Sequence, residues 1–142
     1  MIVLDACAAI EMVRQTPVGN GLQSLMLCNE KVVAPELYRV EVGSVVRKIR
    51  RNEHLGKELA DKYYDKAIAL VDDFVPTPEL STEAFAESLR LDHSTYDMLY
   101  FVLARRTMGT LFTLDKRLIA LCEQHGVNSI DLVPFNCGEA GN

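Results

Sequence analysis

The stretch Thr110-Leu111-Phe112-Thr113-Leu114-Asp115-Lys116-Arg117-Leu118 reads as a short apolar strand that delivers a carboxylate to the start of a helix. Met1-Ile2-Val3-Leu4-Asp5 has the same form, with helical spacing beginning at Ala6. Strands of this kind alternating with helices argue for a parallel sheet with helices on both faces. In such a sheet, groups at strand ends and at the adjoining helix starts collect along one edge. Two further acids belong with them. Asp97 opens a helix in Ser94-Thr95-Tyr96-Asp97-Met98-Leu99-Tyr100, and Glu41 interrupts the apolar stripe of another, beside Leu37, Ser44 and Val45. Four acids gathered in one place repel one another unless a divalent cation sits between them. That is the outline of a metal-dependent phosphoryl-transfer site.

Each acid also has a simpler explanation. Asp5 and Asp115 precede helices, where aspartate is a favoured N-cap. Asp97 follows Ser94 in a capping-box spacing. Glu41 is harder to dismiss, because a charge on a core-facing stripe needs a partner. A salt bridge to Lys48 or Arg39 would serve, and so would a metal. Taken jointly, all-oxygen ligation selects Mg²⁺ or Mn²⁺ over zinc.

The strand-like runs are Ile2–Leu4, Val32–Ala34, Phe74–Pro76, Leu111–Thr113 and Val127–Ile130. Helical patterns fill the intervals: Ala6–Val13, Val18–Cys28, Pro35–Asn52, Leu55–Asp73, Thr82–Leu91, Ser94–Met108 and Asp115–His125. Pro35 reads as a first-turn proline, and Ser81-Thr82-Glu83-Ala84 as an N-cap with an acidic first turn. The expected fold is a three-layer α/β/α domain over residues 1–133, with a mainly parallel sheet of about five strands. Residues 134–142 form a polar C-terminal tail.

With 142 residues, 49% of them hydrophobic, the chain can bury a single core. A net charge of −5 gives no global nucleic-acid signature, but a carboxylate-lined metal site lowers net charge while the metal itself faces phosphate. Cys7, Cys28, Cys122 and Cys137 lack zinc or redox spacing. No signal peptide or membrane-length apolar run is visible, which leads to the expectation of a cytoplasmic protein without membrane association.

Four segments carry a resemblance: Ile2-Val3-Leu4-Asp5, Ala34-Pro35-Glu36-Leu37-Tyr38-Arg39-Val40-Glu41-Val42, Thr95-Tyr96-Asp97-Met98-Leu99-Tyr100-Phe101-Val102-Leu103-Ala104 and Phe112-Thr113-Leu114-Asp115-Lys116-Arg117-Leu118. In order and spacing they resemble the successive motifs of PIN-domain ribonucleases, and the chain is similar in size to the VapC-type toxins of toxin–antitoxin pairs. The resemblance implies that Asp5, Glu41, Asp97 and Asp115 form the acidic quartet, as catalytic residues and metal ligands, with Thr113 supporting the fourth acid. It also implies an RNA substrate and a VapB-like antitoxin. Ala6 and Cys7 stand where small hydroxyl residues are common in the family, Val45 where asparagine is frequent, and Arg117 where some relatives carry a further acid. These departures bear on a second metal and on support around Asp5, and leave the quartet intact.

Arg39, Arg47, Lys48, Arg50, Arg51 and Lys57 form one basic region, and Arg105, Arg106, Lys116 and Arg117 another. Solvated helix faces account for most of them, while some could hold RNA phosphates, Arg14 and Lys116 being the candidates nearest in sequence to the acids. Tyr63, Tyr64, Tyr96 and Tyr100 read as packing residues more readily than as base-stacking ones. His93, four residues before Asp97, either approaches the site or, more readily, is a loop histidine with no role. No Ser/His/Asp order, Walker loop or G-x-G-x-x-G follows a strand.

The chain is therefore expected to be an Mg²⁺- or Mn²⁺-dependent endoribonuclease, the toxin of a toxin–antitoxin pair, working as a homodimer. An acid-pocket phosphatase or phospho-acceptor domain would want a second acid at Cys7, and a degenerate PIN-type RNA- or protein-binding module would not need four acids. The hairpin of the Pro35–Asn52 and Leu55–Asp73 helices carries Val42, Val46, Ile49, Leu59, Tyr63 and Tyr64, which either pack on the domain's own core or hold an antitoxin helix.

Overall fold

A computed structural model describes residues 1–26 and 29–130. The tail at 134–142, the domain end at 133, and Cys28 and Cys137 lie outside the described residues. The elements run β1 (Ile2–Leu4), α1 (Ala6–Val13), α2 (Pro17–Ser24), β2 (Val32–Pro35), α3 (Leu37–Glu53), α4 (Lys57–Ala69), β3 (Asp73–Val75), α5 (Thr77–Leu91), α6 (Thr95–Thr107), β4 (Thr110–Phe112) and α7 (Lys116–Gln124).

The four strands form one parallel sheet in the order β3-β2-β1-β4. The chain steps from β1 to β2 to β3 in one direction, then returns past β1 to lay down β4 on the other side. Because parallel crossovers are right-handed, this reversal puts α1–α4 on one face and α5–α6 on the other. Packing agrees: α1 touches α2, α3 and α4, while α6 touches α5, α7 and three of the strands. The reversal also creates a switch point between β1 and β4, the place where an open α/β sheet offers a crevice beyond its carboxyl ends. The fifth strand of the sequence reading is reduced to an isolated parallel bridge, Leu111 to Ser129, on the outer side of β4.

Burial explains the fold's rigidity around that crevice. Ile2, Val3 and Leu4 are all buried, as a strand covered on both faces requires. Helix α6 is buried at every residue from Met98 to Ala104, the pattern of a helix enclosed on all sides rather than half-wet. Tyr38 is fully buried and donates its hydroxyl to the Ala67 carbonyl at 2.6 Å, tying α3 to the end of α4. No helix among the described residues is long and apolar enough to cross a membrane.

Several local expectations are corrected. Helix α5 starts at Thr77 instead of Thr82: Pro78 in the first turn and Glu79 beside it make the earlier start, and Ser81 and Thr82 lie inside the helix. Pro35 closes β2 instead of opening α3, pairing in register with Val75. Ser94 precedes α6 without a side-chain cap, so there is no capping box with Asp97. In the α3–α4 hairpin, Val42 and Val46 are buried and Ile49, Tyr63 and Tyr64 pack against the core, so these apolar side chains face the domain's own interior. Leu59 alone of that set stays exposed, at 38%.

Glycine at position 19 is dictated by helix approach. A Cβ there would lie 1.9 Å from the Glu11 carbonyl oxygen, which is backbone and cannot swing away. Gly21, two residues on in the same helix, faces open space. Gly19→Ala should therefore force α2 off α1 and cost about 1–3 kcal/mol, read as a fall in Tm of roughly 5–10 °C. Gly21→Ala should leave Tm unchanged or raise it slightly, since alanine is the better helix former. Equal Tm values for the two variants would contradict the close α1–α2 contact.

Candidate active site

Each predicted acid is set by a different element, and each has one oxygen held by a protein donor. Asp5 leaves β1, whose ladder extends to it through an Asp5 N–H bond to the Phe112 carbonyl at 3.1 Å. Its Oδ1 accepts the Ala8 N–H at 2.9 Å as the N-cap of α1. Asp115 follows β4 and caps α7, its Oδ1 accepting from the Arg117 and Leu118 N–H groups at 2.9 and 3.1 Å. Glu41 lies one turn into α3, and its Oε1 accepts the Tyr100 hydroxyl at 2.7 Å. Asp97 sits in the first turn of α6, with Oδ2 2.8 Å from His93 Nε2. Capping and site membership are thus compatible, because a cap uses one carboxylate oxygen. Glu41 forms no ion pair with Lys48 or Arg39 among the described residues, and Arg39 instead pairs with Glu36 and stacks on the Phe74 ring at 3.8 Å.

All four acids line one cleft of about 640 Å³ at the switch point. Leu37, Val40, Val45, Leu114 and Tyr96 give it an apolar rim, and Lys48 is the cation on its wall. Thr113 is buried at 1% exposure between the two strand-end acids, its Oγ1 accepting the Asp115 N–H at 3.1 Å.

The electrostatics follow from this crowding. Burial pushes the Asp5 carboxyl up to about 6, partly opposed by the Thr113 hydroxyl and the Ala8 amide and reinforced by the charges of Glu41 and Asp97. Burial also raises Glu41, with the Tyr100 hydrogen bond opposing and Asp97 adding to the rise. The Tyr100 phenol is driven far above its ordinary range by burial and by Glu41, so it stays protonated as the donor. Cys7 lines the same cleft, and desolvation together with the nearby acids raises its thiol to about 11, which keeps it a neutral thiol.

These residues suit a hard divalent cation. Glu41, Asp97 and Asp115 each keep a second oxygen with no hydrogen-bond partner among the described residues, and negative charge converges with only Lys48 to balance it. Carboxylate oxygens favour Mg²⁺ or Mn²⁺. One further donor is His93, which the sequence favours as a loop histidine over a neighbour of the site. His93 has a side chain only 4% exposed, and ligand atoms of His93, Asp97 and Asp115 lie within 4.8 Å of one another. The signal was present as the four-residue spacing of His93 and Asp97, which the short link from the Asp92 cap of α5 to the start of α6 at Thr95 closes into a hydrogen bond. Tyr100 was likewise read as packing, although its three-residue spacing from Asp97 turns it toward the acids.

The two expected phosphate binders fall elsewhere. Arg14 is at the far end of α1 from Asp5, pairs with Glu53 at 2.5 Å and lies over the Tyr63 ring. Lys116 is exposed at the start of α7, outside the cleft lining. Its neighbour Arg117 donates to the Asp92 carbonyl at 3.0 Å.

Residues 2–126 match the family model of the PIN domain. Ribonuclease VapC12 of Mycobacterium tuberculosis is 31% identical over 137 residues, covering 94% of this chain and 99% of that protein. Among solved structures, the VapC20 toxin of Mycobacterium tuberculosis, described as cleaving the sarcin-ricin loop, superposes with a TM-score of 0.62 at 17% identity, over 85% of this chain and 95% of that one. That likeness is one of fold.

Asp5 yields a pH signature. Its carboxyl is raised from 3.8 to about 6, so ionising it opposes folding. The stability it contributes is full below pH 3.8 and is lost as pH rises through about 6. Asp5→Asn keeps an N-cap acceptor without the charge. Without metal, the variant should exceed the wild type in Tm by several degrees at pH 8, since every tenfold change in a group's proton affinity on folding is worth about 1.4 kcal/mol. The gap should close as pH approaches 4. A thermal melt series in chelator checks this, and a variant less stable than the wild type at pH 8 would mean that Asp5 is needed as a cap alone.

Proposed function

The chain belongs to the PIN-domain family, and from that premise we propose that it is a metal-dependent endoribonuclease, the toxin of a toxin–antitoxin pair, whose nuclease domain spans residues 1–133. The observation that carries this reading is the convergence of Asp5, Glu41, Asp97 and Asp115, from four separate elements, on one cleft at the switch point of the sheet. In this reading the four acids are the catalytic residues and hold Mg²⁺ or Mn²⁺, with Thr113 bracing Asp5 and Asp115. A bound divalent ion would supply charge neutralisation for the scissile phosphate and acidify a water molecule.

The remaining roles fall to the chain's own groups. One of the four acids would accept the proton of the attacking water. Tyr100 and the α1 and α7 amides keep the acids from turning away between substrates. Lys48, on the cleft wall, is placed to meet a phosphate. Attack by water, rather than by the 2′-hydroxyl, leaves 5′-phosphate and 3′-hydroxyl ends.

The VapB-like partner of this reading would seat on the apolar rim of the cleft, since the hairpin residues are committed to the core. Val40 and Tyr96 are 67% and 64% exposed there, directly above the acids, and an amphipathic segment laid across them would close the cleft. Phe85 and Leu89, exposed at 57% and 69% on one face of α5, offer a separate apolar patch for twofold self-association.

Incubating the purified protein with total RNA tests the activity. Cleavage should require Mg²⁺ or Mn²⁺, stop with EDTA, and fall by at least about a thousandfold in Asp97→Asn, the scale of losing a main electrostatic group. The mapped ends should be 5′-phosphate and 3′-hydroxyl. Cleavage that persists after exhaustive chelation, or at wild-type rate in Asp97→Asn, excludes the mechanism.

The partner surface has its own test. Val40→Asp should weaken co-purification with the antitoxin encoded beside it by about tenfold or more, as removal of a central apolar contact does. Melting temperature should stay near wild type, because the Val40 side chain is exposed. Undiminished co-purification would place the antitoxin elsewhere.

A further inference from the structure

The structure ties part of each basic region to acids: in the second, Arg105 and Arg106 are paired, while Lys116 is exposed and Arg117 donates to the Asp92 carbonyl. Arg105 and Arg106 are bound to Glu83, and Arg105 also approaches Glu87. In the first region Arg39 is taken by Glu36 and Lys57 by Asp61. Arg47, Lys48, Arg50 and Arg51 remain, all exposed and without an ion pair among the described residues. The acid nearest them in sequence on α3, Glu53, is held by Arg14. Arg14 thus lies away from the cleft, paired with the one acid at the end of α3.

Helix geometry connects the cluster to the site. Glu41, Ser44 and Lys48 share the cleft wall at spacings of three and four residues. Arg51 follows Lys48 by three residues, and Arg47 precedes Arg51 by four, so each is the next neighbour on the helix surface. Arg47, Arg50, Arg51, His54 and Leu55 then line a second hollow of about 490 Å³ at the end of α3. From Glu41 to Arg51 the helix rises about 15 Å, the reach of a few nucleotides.

We propose that Lys48, Arg51, Arg47 and Arg50 form an anchoring row for the phosphates of single-stranded RNA, a few nucleotides from the bond cut at the acids. This deepens the ribonuclease reading and rests on it. The cleft is acidic and cannot by itself hold a polyanion, whereas a cationic row leading out of it can. Guanidinium groups bind phosphate by paired donors, and each phosphate contact releases counterions from the strand, so the row gives affinity without base choice.

The test uses the double variant Arg47→Gln/Arg51→Gln, which leaves the acids and Lys48 in place. Binding of labelled polyuridylate in EDTA is followed by fluorescence anisotropy across a salt series, and cleavage of polyuridylate and of UpU is measured with Mn²⁺. The proposal expects binding weaker by roughly tenfold and a log–log salt slope shallower by about 1.4, at about 0.7 per phosphate contact on a single strand. It expects KM for polyuridylate to rise by a similar factor with kcat unchanged, and UpU cleavage to be unaffected. Arg47→Lys/Arg51→Lys should restore most of the salt slope. An unchanged Kd and slope in the glutamine variant overturns the proposal, as does loss of polyglutamate binding with polyuridylate binding intact, which would mark a peptide site. Wild-type protein that binds polyuridylate through this row but cuts no RNA would support the row and overturn the nuclease reading. RNA cleavage that is equally efficient in the wild type and the glutamine variant would do the reverse.

Discussion

Mutual repulsion of carboxylates is the constraint around which this molecule is organised. Two like charges about 5 Å apart repel by roughly 3 kcal/mol at an effective dielectric of about 20. A helix cap or a hydrogen bond to a carboxylate returns only about 1–3 kcal/mol. The donors around Asp5, Glu41, Asp97 and Asp115 therefore fix where the acids point but do not relieve the charge they concentrate. The raised pKa values of Asp5 and Glu41 are the mark of burial and of that unrelieved charge. A sheet and the buried Met98–Ala104 run of α6 supply the rigidity needed to keep the acids together against it. A divalent cation would convert the same repulsion into ligation, which is how a site that weakens the apoprotein becomes useful.

The topology explains why the acids meet where they do. Reversal of strand order between β1 and β4 leaves a crevice at their carboxyl ends, and Asp5 and Asp115 are the residues that leave those two strands. Helices α3 and α6 come from opposite layers and bring Glu41 and Asp97 to the same opening, joined by the Tyr100 hydroxyl. Charge is sorted along α3 as well, from an acid at the cleft to arginines at the far end that have no ion pair among the described residues. The result is a surface with a negative working end and a positive approach, although the chain as a whole carries a net charge of −5.

Much of this was legible in the sequence because strand-end acids are conspicuous. Ile2–Leu4 matched the strand reading to the residue, and the run ending at Asp115 to within one. The quartet could be read because each acid breaks an apolar pattern. What escaped depended on tertiary neighbours. Arg14 is close to Asp5 in sequence, but α1 carries it to the helix's far end and to Glu53. His93, in the link before α6, and Tyr100, on that helix, looked ordinary until the fold brought them to Asp97 and Glu41. The hairpin's apolar residues suggested a partner surface, because periodicity alone does not say whether an apolar face meets its own core or another chain. The early start of α5 was hidden by a second plausible cap at Ser81.

Direct titration of metal-free protein with Mn²⁺, followed by the loss of the free-ion electron paramagnetic resonance signal, tests the central claim most directly. Binding should be saturable and should weaken as pH falls through about 6, where Asp5 takes up its proton. Asp97→Asn should weaken it by about ten- to a hundredfold. Absence of saturable binding at pH 8, or binding of equal strength in Asp97→Asn, would contradict the claim that the quartet is a metal site.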